Sequence, residues 1–165
     1  CLGALWPLLD KAPLVLADAN LPEETLCALA ERAKAPLFLD PVSGVKAGRA
    51  RRVIGRFAAV KPNRLEAQSL SGEEDPARAA DWFLQQGVGK VFISLGAEGV
   101  YYASAKERGR LPAARVRATH YTGAGDAMAA GIALGMLKGL GARGCAQSGM
   151  EAVVKHLICQ GGTLL

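Results

Sequence analysis

Residues 122–126 read Thr122-Gly123-Ala124-Gly125-Asp126 and run straight into an apolar stretch, residues 127–137. Gly123 and Gly125 let the backbone turn sharply and come close to a ligand. The next residues start a helix, and the first N–H groups of a helix have no partner inside it. Those donors, with the positive end of the helix dipole, make a site for an anion such as a phosphate. A carboxylate in an anion site needs another job, and accepting the proton of an attacking hydroxyl is such a job for Asp126. Phosphoryl transfer to an alcohol is the chemistry this suggests. The plain alternative is that Asp126 caps the helix. A dinucleotide-binding Gly-x-Gly-x-x-Gly turn fits poorly, because the third glycine position is Met128 and no acidic residue follows in a second strand. The apolar stretch is bounded by Asp126 and Lys138 and is too short to span a bilayer.

Around this turn, short apolar runs alternate with helical periodicity. Residues 14–18, 37–40, 58–60 and 91–95 read as buried strands, and residues 22–34, 65–70, 77–86, 125–140 and 143–159 as helices. Residues 99–103 and 115–119 read as strands flanking a charged hairpin loop. Such alternation predicts an α/β fold, a mostly parallel sheet covered on both faces. Ligands of such sheets bind off the carboxyl ends of the strands. The polar clusters fall at those ends: Asp18 and Asn20, Asp40 and Ser43, Lys61 and Asn63, Ser94 and Gly96.

With 165 residues the chain is long enough for one domain with a core of its own. Half of the residues are hydrophobic and 21% charged, which predicts a soluble globular protein. The net charge of +5 suits a polyphosphate ligand. Arg49, Arg51, Arg52 and Arg56 crowd together but lack interleaved aromatics, so they read as a solvated face rather than a nucleic-acid site. Cys1, Cys27, Cys145 and Cys159 show no metal-ligand spacing and read as reduced cytosolic thiols. His120 and His156 lack metal-ligand partners at helical spacing and read as structural or surface residues. No targeting segment or initiator Met is present, and the chain reads as a fragment.

Three motifs in order resemble the ribokinase or PfkB family of carbohydrate kinases. Thr122-Gly123-Ala124-Gly125-Asp126, continuing to Gly131, resembles its C-terminal signature. Lys61-Pro62-Asn63-Arg64-Leu65-Glu66 resembles its Asn-x-x-Glu motif, and Ser94-Leu95-Gly96-Ala97-Glu98-Gly99 its nucleotide-site strand and turn. The resemblance covers nearly the whole chain, residues 1–165, as the C-terminal part of one kinase domain. It implies a ribokinase-like three-layer α/β/α fold without the family's N-terminal half and β lid. Within the family, Asp18-Ala19-Asn20-Leu21, Asp40-Pro41-Val42-Ser43 with Lys46, and the Lys61–Ala67 segment are most similar to pseudouridine kinases, which phosphorylate the 5′-hydroxyl of pseudouridine; the alternatives are a family kinase acting on ribose, another sugar or a nucleoside, and a nucleotide-binding remnant without catalysis.

The resemblance implies ATP and Mg²⁺ as cofactors. Asp126 would be the catalytic base, with the amides of Gly123, Ala124 and Gly125 facing the γ-phosphate. Asn63 and Glu66 would hold Mg²⁺, mostly through water, although Asn-x-x-Glu is also a capping pattern at a helix start. Lys61 and Thr122 would face the phosphates, and Ser94, Gly96 and Gly99 the nucleotide. Asp18 and Asn20 would line the substrate side, while Asp40, Ser43 and Lys46 lie on a loop facing the same edge. His120 and Tyr121 depart from the acidic or polar residue and Thr common before the signature, at the place where a monovalent-cation (K⁺) site is expected. The tail from Val153 departs from the expected alanine-rich helix and polar loop, as a truncation or a shifted reading frame would. The partners implied are a small sugar or nucleoside, with no nucleic acid and no membrane, and a homodimer in the intact enzyme. The location implied is the cytoplasm.

Overall fold

The computed structural model describes residues 2–118 and 120–165. Its centre is a six-stranded sheet whose strands follow chain order: β1 (Val15–Asp18), β2 (Leu37–Asp40), β3 (Ala59–Val60), β4 (Lys90–Ser94), β5 (Val100–Ser104) and β6 (Arg108–Leu111). The first four are parallel, and β5 and β6 return antiparallel. Each parallel strand steps one place in the same direction. Right-handed crossovers then bring every connecting helix to one face. On that face lie α1 (Trp6–Leu9), α2 (Glu23–Arg32), α3 (Gly44–Ala47), a 3-10 segment over Gly48–Arg56, α4 (Arg64–Ser71) and α5 (Pro76–Gln85). The other face is covered by α6 (Ala124–Leu137) and α7 (Ala142–Cys159).

Two cores result, and successive strand residues feed them in turn. Leu37 and Leu39 point into one while Phe38 points into the other; Val91 and Ile93 are likewise opposed to Phe92. A strand buried on both faces needs an unbroken apolar run, which is why these segments lack polar alternation. The expected three-layer α/β/α architecture is present, as a partial fold. The α6–α7 contact depends on missing side chains. A Cβ on Gly149 would stand 2.9 Å from Ile132 Cγ1, and one on Gly131 would stand 2.8 Å from Gly149 Cα. Among the described residues, no helix is long and apolar enough to cross a membrane.

Three sequence expectations need correction. The hairpin partner of β5 is Arg108–Leu111, within the stretch read as a charged loop, rather than residues 115–119. Its alternation of Arg108 and Arg110 with Gly109 and Leu111 suits a sheet edge with one face in solvent. Residues 116–117 instead form β7 (Val116–Arg117), paired with β8 (Thr163–Leu164) in a separate ribbon, and Thr119 lies outside the described residues. The basic cluster is not wholly solvated: Arg49 donates to the carbonyls of Ala19, Asn20 and Leu21, and Arg51 lies 5.9 Å over the Trp82 ring. The helix read over residues 143–159 is present and carries the tail from Val153 into the fold. Residues 153–159 continue α7, Leu157 is buried, and the Leu165 amide donates to the Arg115 carbonyl at 2.9 Å. Cys1 lies outside the described residues; Cys27, Cys145 and Cys159 are free thiols.

Candidate functional site

Parallel register brings the first pair of site residues together. Leu39 of β2 stands opposite Val60 of β3, so the next residues, Asp40 and Lys61, are neighbours. Lys61 Nζ lies 3.1 Å from Asp40 Oδ2, with the two side chains 5% and 13% exposed. The other oxygen of Asp40 accepts from the Val42 amide at 3.2 Å. Val42 has a φ of 63°, left-handed backbone that a β-branched residue rarely adopts and that costs about 1–3 kcal/mol. Beyond Lys61 lies the start of α6: a Cβ built on Gly125 would stand 3.8 Å from Nζ. The ammonium thus sits between a carboxylate and the glycine turn.

The turn itself is shaped for an anion. Gly123 holds a φ of 83° that glycine alone adopts freely. Ala124 donates its amide to the Tyr121 carbonyl at 3.1 Å. Of the amides expected to face a phosphate, the Ala124 group is therefore engaged inside the turn. Among the described residues, the amides of Gly125 and Asp126 donate to no protein acceptor and stay open at the positive end of α6. The Asp126 side chain is exposed and makes no hydrogen bond or ion pair among the described residues. It does not cap its own helix, so the plain alternative for Asp126 finds no bond to rest on. The Thr122 carbonyl accepts from His156 Nε2 of α7 at 2.8 Å.

Asn63 and Glu66 form a complete capping box at the start of α4. Asn63 Oδ1 accepts from the Glu66 amide at 2.9 Å, and Glu66 Oε2 accepts from the Asn63 amide at 2.9 Å. A third bond runs from Asn63 Nδ2 to Glu66 Oε1 at 2.7 Å. Glu66 is 3% exposed, and burial pushes its carboxyl above the usual range; the Asn63 amide and the Lys61 charge pull it back, and Asp40 pushes it up further. The oxygens keep spare lone pairs, so a hydrated divalent cation can be held through its waters while the box stays intact. Among the described residues, no group of three His, Cys, Asp or Glu side chains is placed to hold a metal ion.

Beside the glycine turn opens a cavity of about 690 Å³. Ser94, Gly96 and Gly99 line one wall, Ala124, Gly125 and Met128 the floor, and Tyr121 and Arg115 the rim. Met150, Val153, Val154 and Leu157 supply the apolar wall opposite. Gly96, at a φ of 60°, is open on its side-chain side. Gly99 has a second reason to be glycine, since a Cβ there would fall on the Leu111 carbonyl oxygen. An apolar slot with a few polar groups at one end is the usual form of a small-molecule site.

Residues 4–161 match the profile of pfkB family carbohydrate kinases. The chain belongs to the pfkB family of carbohydrate kinases. It is 39% identical over 132 residues to the pseudouridine kinase of Escherichia coli (strain K12), covering 76% of this chain and 42% of that protein. It is 38% identical over 89 residues to the 2-dehydro-3-deoxygluconokinase of Bacillus subtilis (strain 168), covering 53% of this chain and 28% of that protein. The structure of ribokinase from Thermotoga maritima superposes with a TM-score of 0.81 at 25% identity, covering 94% of this chain and 52% of that one. The chain therefore spans about half or less of the relatives it matches.

In this pfkB-family chain the expected residues sort into two groups. Ser94, Gly96, Gly99, Ala124 and Gly125 line the cavity, Lys61 lies beside Gly125, and Asn63, bonded to Glu66, pairs with Ser94 where β4 ends. The second group bonds largely within itself. Asp18 Oδ1 accepts from the Asn20 amide at 2.8 Å, Asn20 Oδ1 accepts from Lys46 Nζ at 2.6 Å, and Ser43 caps α3. Three contributions went unread in the sequence. Asp40 as the partner of Lys61 was available once the strands were set in register. The stripe Met150, Val153, Val154 and Leu157 had helical spacing, which marks a buried face but not what covers it. His156 gave no signal, since its partner lies 34 residues away.

Proposed function

We propose that the chain is the nucleotide-binding and catalytic portion of an ATP-dependent kinase that phosphorylates a hydroxyl of a sugar or nucleoside, with pseudouridine as the preferred acceptor. One observation carries the reading: the open amides of Gly125 and Asp126 and the unpartnered Asp126 carboxylate stand together at the start of α6, where Lys61 lies beside Gly125 and Gly125 also lines the apolar cavity. The cavity takes the base and ribose, with Ser94 and Gly96 at the ribose end. Lys61 and the amides meet the terminal phosphates and the charge that builds on them during transfer. Asp126 takes the proton of the attacking hydroxyl, and its freedom from any internal partner leaves both oxygens available. Mg²⁺ supplies charge neutralisation to the phosphates, held through water by Glu66 with Asn63 fixing the carboxylate. Pseudouridine as acceptor rests on the 39% identity to the Escherichia coli pseudouridine kinase. Cytoplasmic location and a homodimer of the whole enzyme belong to the same proposal.

The chain spans 42% of that relative, which favours a second reading: by itself it binds nucleotide without transferring phosphate. A single experiment separates the two. The 165-residue chain is titrated with Mg·ATP by calorimetry, then incubated with Mg·ATP and pseudouridine, ribose or 2-dehydro-3-deoxygluconate while ADP and the phosphorylated product are monitored. Binding with pseudouridine 5′-phosphate formation supports the full reading, and binding alone supports the second. Absence of Mg·ATP binding refutes both.

A further inference from the structure

The carbonyl of Thr122 can only accept, so His156 must present an N–H at Nε2 to make their 2.8 Å bond. In a trans peptide the C=O and the N–H of the next residue point to opposite sides. Fixing the Thr122 carbonyl toward α7 therefore fixes the Gly123 N–H away from α7. Gly123 is the first residue of the turn that leads to the open amides of Gly125 and Asp126. The ring lies close against the turn, since a Cβ on Gly123 would stand 2.9 Å from His156 Nε2 and 3.0 Å from Cε1. A glycine turn at φ 83° has many other conformations open to it. The Ala124–Tyr121 bond closes a turn around the Thr122–Gly123 peptide, but the same bond is made with that plane flipped over, as types I and II of the turn show. The imidazole holds one of the two orientations.

We infer that His156 is a positioning residue for phosphate recognition: its Nε2–H holds the Thr122–Gly123 peptide so that the Gly123 N–H joins the anion site at the start of α6. This rests on the nucleotide reading of that site. It also gives α7 two tasks, lining the cavity through Val153 and Leu157 and setting the phosphate-binding turn through His156, so that base and phosphate sites are built from one rigid element.

The test compares His156→Leu, which removes the donor and keeps bulk, with His156→Gln, whose side-chain N–H can reach the same carbonyl. Affinities of the 165-residue chain for adenosine, Mg·ADP and the Mg complex of a non-hydrolysable ATP analogue are measured by calorimetry. The expected result is that the leucine variant keeps its adenosine affinity and loses about tenfold in its preference for the triphosphate over the diphosphate, the scale of one hydrogen bond to a charged group. The glutamine variant should restore most of that preference. A wild-type chain that binds no nucleotide overturns the nucleotide reading itself. A wild-type chain that binds nucleotide but shows no triphosphate preference, or a leucine variant that keeps it, overturns the role of His156 alone. Imidazole ¹⁵N spectra of the wild type need no variant to fold: the proton should sit on Nε2, and an Nδ1–H tautomer would overturn the proposal.

Discussion

Asp40→Asn tests the charge arrangement at the centre of the site. The substitution keeps an oxygen for the Val42 amide and removes the charge that faces Lys61. Lys61 is 4% exposed, so its ammonium is left in a place that water hardly reaches. Removing one partner of a buried pair costs about 3–5 kcal/mol. Two features of the site lower that figure: Asp40 is partly open to solvent, and Glu66 still lies within electrostatic reach of Lys61. The expected loss is about 2–3 kcal/mol, a fall in Tm of roughly 5–10 °C for a chain of this size. Lys61→Met should cost less, about 1–2 kcal/mol, because the remaining carboxylate keeps its bond to Val42 and some water. The double variant should return to within about 1 kcal/mol of the parent, since Asp40 and Lys61 lose their charges together and neither is left facing the other's absence. Urea unfolding monitored by the fluorescence of Trp6 and Trp82 measures all four proteins. A loss below about 0.5 kcal/mol for Asp40→Asn, or single effects that simply add in the double variant, would refute the reasoning. The same set reports on function, because Lys61→Met should weaken Mg·ATP binding while leaving adenosine binding unchanged.

Three further outcomes are expected. Asp126→Asn in a chain that turns over should fold and bind nucleotide as before while kcat falls about 10²–10⁴-fold; a near-parental rate would remove Asp126 as the base. Burial holds the Glu66 carboxyl above the usual range, so the native state keeps its proton to higher pH than the unfolded chain does. Its contribution to stability is then full below the ordinary carboxylate range and is lost as pH rises through the raised value. Chemical unfolding of the parent and Glu66→Gln from about pH 4 to about pH 7 should show the parent losing ground to the variant as pH rises, and a constant difference would contradict it. Gly149→Val should force α6 and α7 apart, because its Cβ position already lies 2.9 Å from Ile132 Cγ1; a loss of more than about 2 kcal/mol is expected by urea unfolding, and an unchanged midpoint would show that the helices can give way.

Much of this protein is local in origin and so was open to sequence reasoning. The short apolar runs at residues 37–39 and 91–93 read as strands covered on both faces, and their alternation with helices determined the layered sheet. The glycine turn before residues 127–137 determined where the open amides stand, and Asn63 with Glu66 spelled a helix start. Tertiary structure decided the rest, because the partners are distant in the chain. Residues 108–111 carry too few apolar side chains to announce a strand, and they become one because β5 offers them an edge. Lys61 could have been any lysine at a strand end until parallel register set Asp40 beside it and the start of α6 on its other side. His156 looked like a surface histidine because nothing within four residues of it says otherwise; only the packing of α7 against the turn gives it the Thr122 carbonyl. Periodicity and turn chemistry act over a few residues and are written in order along the chain, whereas burial, register and charge pairing exist only once distant segments share the same space.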